Sequence, residues 1–261
     1  MTAIVSDTIV KPRLRVERLA RACLVLMGLV VVASAFLRLH GASDALAVAW
    51  ARELEITRGV HRFAATLVLL GAIAMMWLAR RDRRAQALVA SGLMLSVLGV
   101  VTGASRAAPV VVLNLVGGFA MLALCAALAT PPHAGADLPA PRRSARSTAR
   151  VLLAIVFVQA AFGAWASATP SAACGVVAGC GALPIVHRAV GALLAVALIV
   201  FGSRAAWRDG RSSAAALALL AFLSLLVGVL GAGFGSGALP MLAVVHNALA
   251  AAMVAMLVRL G

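Results

Sequence analysis

Apolar runs alternate with short, positively charged breaks along the whole chain. Eight runs stand out, at about 22–38, 61–79, 86–104, 110–129, 151–168, 185–202, 213–231 and 241–258. A bilayer crossing needs about 20 apolar residues in a helix. Backbone groups in hydrocarbon must bond within their own segment, so these runs are expected to be helices. The pattern therefore predicts an all-α membrane protein with eight transmembrane helices. A basic segment, 1–21, precedes the first run, and a stretch rich in Pro, Ala, Ser and Arg, 131–150, separates the fourth from the fifth. That stretch lacks apolar periodicity and is expected to be a solvated tether.

The two sides of the tether resemble each other. The second run opens Gly59-Val60-His61-Arg62 and the sixth opens Ile185-Val186-His187-Arg188. The fourth carries Leu113-Asn114-Leu115 with Met121 seven residues beyond Asn114; the eighth carries Val245-His246-Asn247 with Met253 seven beyond His246. Four spans per half is an even number, so both halves have one orientation and are related by an axis along the membrane normal. The expected architecture is two pseudo-symmetric four-helix bundles, 22–130 and 151–261. Ala33-Ser34-Ala35 has the look of a signal-peptidase site, but the counterpart of that run, 151–168, is internal, which favours a retained span.

Composition agrees with this picture. Apolar residues make up 64% of the 261 and charged residues 12%, against roughly half and a quarter in a soluble domain. The net charge of +15 sits in clusters between apolar runs, which makes it a topology signal and not a nucleic-acid surface. With the N-terminus cytoplasmic, only six of the 23 Lys and Arg residues lie outside (Arg38, Arg52, Arg58, Arg62, Arg106 and Arg188). Short cationic loops stay in the cytoplasm, so both termini are expected there, in a multi-pass protein of the cell inner membrane. Cys23 and Cys125 fall within apolar runs and read as inert.

Candidate chemistry gathers at the outer ends of the helices. His40, His61, His187 and His246 lie at or near that side. A lone intramembrane histidine often serves only helix–helix hydrogen bonding. His187 and His246, however, sit at similar depth on two helices of one bundle. Two imidazoles facing each other fit the axial positions of a heme iron. In the first half His61 matches His187, but Asn114 stands where His246 does. That site is left with one good iron ligand, either for a heme held as substrate or as a degenerate site. Arg62 and Arg188 are each one helical step, about 100°, from their histidines. They either reach a propionate at the surface or anchor the helix at the interface. The loop 39–60 is expected to carry a short surface helix, Ala45 to Ile56. Glu55 in it either moves protons or lies on a solvated face, as Glu53 does. Cys174 and Cys180 share an external, oxidising loop, where a disulfide would shape a lid or carry redox chemistry.

These features together resemble the heme A synthase family of cytochrome oxidase assembly. The resemblance covers about 22–258. It rests on Phe36-Leu37-Arg38-Leu39-His40-Gly41-Ala42-Ser43, Val60-His61-Arg62, Leu98-Gly99, Thr102-Gly103, Pro109, Val158-Gln159 with Gly163, Cys174 to Cys180, Val186-His187-Arg188 and His246. It implies a heme b cofactor on His187 and His246, and a heme O substrate site at His61 in the first half. It implies oxidation of the position-8 methyl of heme O to a formyl group. The implied partners are heme O with the enzyme that makes it, and a membrane electron donor or acceptor. Three departures fall in the first half. Asn114 replaces a usual histidine, the first external loop has no cysteine pair, and Arg58 stands where a glutamate is common, with Glu55 the nearest substitute.

Two functions are compatible with these residues: oxidation of heme O at His61, or heme binding for assembly or electron transfer without that chemistry. Transport fits less well, because transporters place polar groups near the midplane and this chain places them at the outer ends. Gly and Ala on the helix faces permit close packing, within one chain or in a homo-oligomer.

Overall fold

The computed structural model of the protein describes residues 3–40, 48–102, 107–130, 143–168, 182–210, 212–233 and 240–261. Among these residues there are eight long helices and no strand. They are α1 (Ala3–His40), α2 (Ala51–Leu78), α3 (Arg83–Thr102), α4 (Ala108–Ala129), α5 (Arg143–Ala168), α6 (Ala182–Asp209), α7 (Ser212–Gly233) and α8 (Pro240–Leu260). All but α3 are long and apolar enough over their described residues to cross a membrane. The side chains of α3 are described only as far as Leu98, which leaves its described apolar stretch short of a crossing. At most 39% of any crossing window is buried inside the protein. Leu193, Phe63, Val25 and Trp77 are among the large apolar side chains that face outward. Such a surface would be a liability in water and is what a bilayer solvates. The chain is a multi-pass membrane protein.

Polar chemistry ends the helices where the apolar runs stop. After α2, the Asp82 carboxylate accepts a hydrogen bond from the Arg84 backbone N–H at 2.8 Å and so caps the start of α3. The Arg80 guanidinium lies 5.4 Å from the centre of the Trp77 ring, a cation–π pair of the kind that suits a membrane interface. Pro109 opens α4, where its missing N–H costs nothing. Gly210, with φ of 62°, turns the chain from α6 towards α7; that left-handed backbone is what a glycine after a helix end permits.

Each of the first four helices packs on the next, and α4 closes back on α1. The last four repeat the arrangement, with α8 closing on α5. Between the two sets, α1 meets α8, α4 meets α5, and α4 meets α8. The core runs through both sets, from Cys23, Met75, Phe119 and Cys125 to Leu198, Leu217, Val254 and Leu257. Cys23 and Cys125 are buried and unbridged. Small residues set the closest crossings. A Cβ on Gly202 of α6 would fall 2.6 Å from the Ala214 carbonyl oxygen and 2.9 Å from the Ala218 nitrogen of α7.

Several helices begin earlier than their apolar runs. In α1 one continuous helix takes in most of the basic N-terminal segment, and its crossing stretch is Leu14–Arg38. Arg143 to Arg150, expected in the tether, form the first two turns of α5. Ala51 to Ile56, expected in a separate surface helix, belong to α2. A helix leaving the bilayer no longer needs apolar side chains, so hydropathy alone truncates it. The remainder of the tether, the Cys174–Cys180 loop and residues 41–47 lie outside the described residues.

Candidate heme site in the second bundle

One polar side chain from each helix of the second bundle stands in one of two hydrogen-bonded pairs, Gln159 with His187 and Ser224 with His246. His187 of α6 lies on the stripe that continues one turn on to Gly191 and then to buried Leu194 and Leu198. His246 of α8 shares its stripe with buried Met253 and Leu257. Both rings therefore face the bundle interior. Each ring is held through the same nitrogen. Gln159 of α5 places its carboxamide nitrogen 2.9 Å from His187 Nδ1. The same nitrogen also donates to the His187 carbonyl oxygen. Ser224 of α7 places its hydroxyl 3.2 Å from His246 Nδ1. Nε2 of each ring is left unengaged.

The close fit depends on two glycines. A Cβ on Gly163 would come within 2.6 Å of His187 Cε1, so the ring lies directly on α5. A Cβ on Gly191 would come within 2.8 Å of the Gln159 nitrogen. Gln159 and Gly163 are one turn apart on α5, and His187 and Gly191 are one turn apart on α6. Each helix therefore offers a gap to the other's polar side chain.

The first bundle is organised differently. His61 lies three turns into α2 and not at its start, on a stripe with buried Leu54, Val68 and Met75. Asn114 of α4 shares its stripe with buried Met121 and Cys125 but is itself exposed. Neither side chain makes a hydrogen bond to a described residue. Glu55 is exposed, and six residues of helix turn it about 120° away from His61. Arg58, three residues before His61, is on its side of the helix and is exposed as well. Arg62 and Arg188 are both exposed next to their histidines. Thr66 bonds to the Arg62 carbonyl at 2.9 Å, within the helix. Near the C-terminal end of α1 the Nε of Arg38 is buried without a hydrogen-bond partner among the described residues, and Phe36 meets the Trp50 ring edge-on at 6.1 Å.

Ser224 and Gly191 do not announce themselves in the sequence. Ser224 is one of only two buried polar or charged residues among those described, with Glu17. A hydroxyl held in an otherwise apolar helix is the signal that could have marked it. No protein-family model matches the chain, and no curated protein matches it.

A porphyrin iron is one group whose chemistry this donor set fits. Among the described residues no three histidine, cysteine or carboxylate side chains converge to hold a bare metal ion. Two imidazoles with free Nε2 atoms and anchored Nδ1 atoms are instead what a porphyrin iron requires, since its ring supplies the other four ligands. Ligating histidines characteristically donate the second ring N–H to a neighbouring polar group; the Ser224 hydroxyl can accept from His246 Nδ1, while the group facing His187 Nδ1 is the carboxamide of Gln159.

Proposed function

We propose that the chain is a heme A synthase-like membrane oxidoreductase. In this reading His187 and His246 hold a heme b, and heme O is oxidised at its position-8 methyl beside His61. The observation that carries it is the pair of inward-facing histidines in the second bundle, each anchored at Nδ1 by a side chain from a different helix. When bound, a heme b there supplies a one-electron redox centre inside the membrane.

The chain's own residues have separable roles. Gln159 and Ser224 orient the two imidazoles, and the apolar walls around them exclude water. Arg188 and Arg62, exposed beside their histidines, meet the carboxylates of bound porphyrins. The two sets of four helices form pseudo-symmetric bundles. Exchanging the halves exchanges the α1–α8 contact with the α4–α5 contact and leaves α4–α8 in place, which supports that relation. All eight helices cross the cell inner membrane, α3 included, with both termini in the cytoplasm. Electrons leave to a membrane acceptor, and heme O arrives from its synthase.

Asn114 favours a second reading. A carboxamide is a poor iron ligand, and His61 has no described partner to orient it. A heme-binding assembly or electron-transfer protein would need only the second bundle. Heme extraction from cells that make heme O and express this chain separates the two. The first reading expects heme A in the extract. Heme O alone would overturn it and leave the second.

A further inference from the structure

The contact between Gln159 and His187 has a direction. A carboxamide nitrogen only donates, and here it points at both the His187 carbonyl oxygen and Nδ1. A neutral imidazole has one N–H and one bare nitrogen. Nδ1 must therefore be the bare one, and the ring proton sits on Nε2. An imidazole that binds iron through Nε2 needs the opposite arrangement, with the proton on Nδ1 and an acceptor facing it.

That acceptor is already in place. Oε1 of Gln159 is buried and has no hydrogen-bond partner among the described residues. An unpaired buried acceptor is destabilising. Half a turn of the carboxamide exchanges nitrogen and oxygen and sets Oε1 against Nδ1–H; that position also faces the His187 carbonyl oxygen, a second acceptor, so the flipped side chain must draw back from the backbone. Gly191 leaves the amide nitrogen its room, since a Cβ would lie 2.8 Å from it, and Gly163 leaves the ring its room. Ser224 faces no such choice, because a hydroxyl donates or accepts as the His246 tautomer demands.

We infer that Gln159 is a positioning residue with two states. In one, its amide tethers α5 to the α6 backbone and holds His187 in the tautomer that cannot bind iron. In the other, the flipped amide accepts from Nδ1–H and presents Nε2. Occupation of His187 by a metalloporphyrin is thereby coupled to release of the His187 carbonyl. This inference rests on the heme reading of the site, but its first half does not require a heme.

The test is nitrogen-15 NMR of histidine-labelled, metal-free protein in lipid nanodiscs. His187→Ala identifies the signal. The wild type should show His187 with Nδ1 unprotonated, and Gln159→Glu, whose carboxylate only accepts, should move the proton to Nδ1. A wild-type ring already protonated at Nδ1, or a tautomer that Gln159→Glu leaves unchanged, overturns the inference. A hemin titration follows. Gln159→Glu should bind at least as tightly as wild type, with a more negative midpoint potential. Gln159→Leu should bind about tenfold more weakly. Equal weakening in both variants would mean that Gln159 is merely packing. If the tautomers behave as expected but the wild type takes up no low-spin heme, the heme reading falls and the tautomer assignment stands.

Discussion

The two bundles carry histidines at matching places and treat them differently. In the second, a Leu-Ser pair midway along α7 sends the Ser224 hydroxyl across to His246. In the first, a Leu-Ser pair midway along α3 sends the Ser96 hydroxyl back to the Gly92 carbonyl of its own helix at 2.8 Å. His187 is pinned by Gln159, whereas His61 has no described side-chain partner. Conservation of a histidine between repeats is thus not conservation of a site. What makes an imidazole a ligand is the group behind it. An unanchored ring must surrender rotamer freedom when it binds, and an anchored one has surrendered it on folding.

The comparison can be broken most sharply at the ligands. His187→Ala or His246→Ala should abolish the six-coordinate low-spin absorption spectrum of purified protein, while His61→Ala should leave it intact. Loss of that spectrum in the His61 variant alone would reverse the roles of the bundles.

Packing separates the halves next. Gly202→Ala drives a methyl group into α7 backbone, which cannot rotate away. It should lower stability by about 1–3 kcal/mol, read as thermal unfolding in detergent. In the first bundle, a Cβ on Gly71 would fall 2.5 Å from Cys23 Sγ. That is one side-chain atom with a rotatable bond, so Gly71→Ala should cost less. An equal loss would show the first bundle to be as unyielding as the second.

The hydroxyls give the smallest contrast. Ser224→Ala should weaken heme binding about tenfold, at the low end for loss of a group behind a ligand. Ser96→Ala should change it hardly at all. If the serines matter equally, the first bundle holds a heme too.

Much of this was legible in the sequence, and what was missed shares a cause. The histidines stood out because imidazole is costly in a span; the shared Val-His-Arg did not report that His61 lies about three turns into its helix while His187 lies within the second turn of its own. The apolar runs located the helices but cut them short at Arg143 and Ala51, because helix continues into water without apolar side chains. Glu55 looked close to His61 along the chain, yet the helix turns it away. Ser224 was invisible because its meaning depends on which helix lies beside α7. Gln159 was visible only as part of a family resemblance. Spacing along a chain reports facing; it does not report which neighbour a hydroxyl will find.

Because the two pairs draw Gln159, His187, Ser224 and His246 from four successive helices, they have a place in time as well as in space. A chain leaves the ribosome from its N-terminus, so α5, α6 and α7 enter the membrane before α8 exists. The tight α6–α7 crossing at Gly202 carries His187 and Ser224 on one hairpin. The second imidazole arrives only with α8. The two hydrogen-bonded pairs are therefore complete only once α8 has docked on α5 and α7.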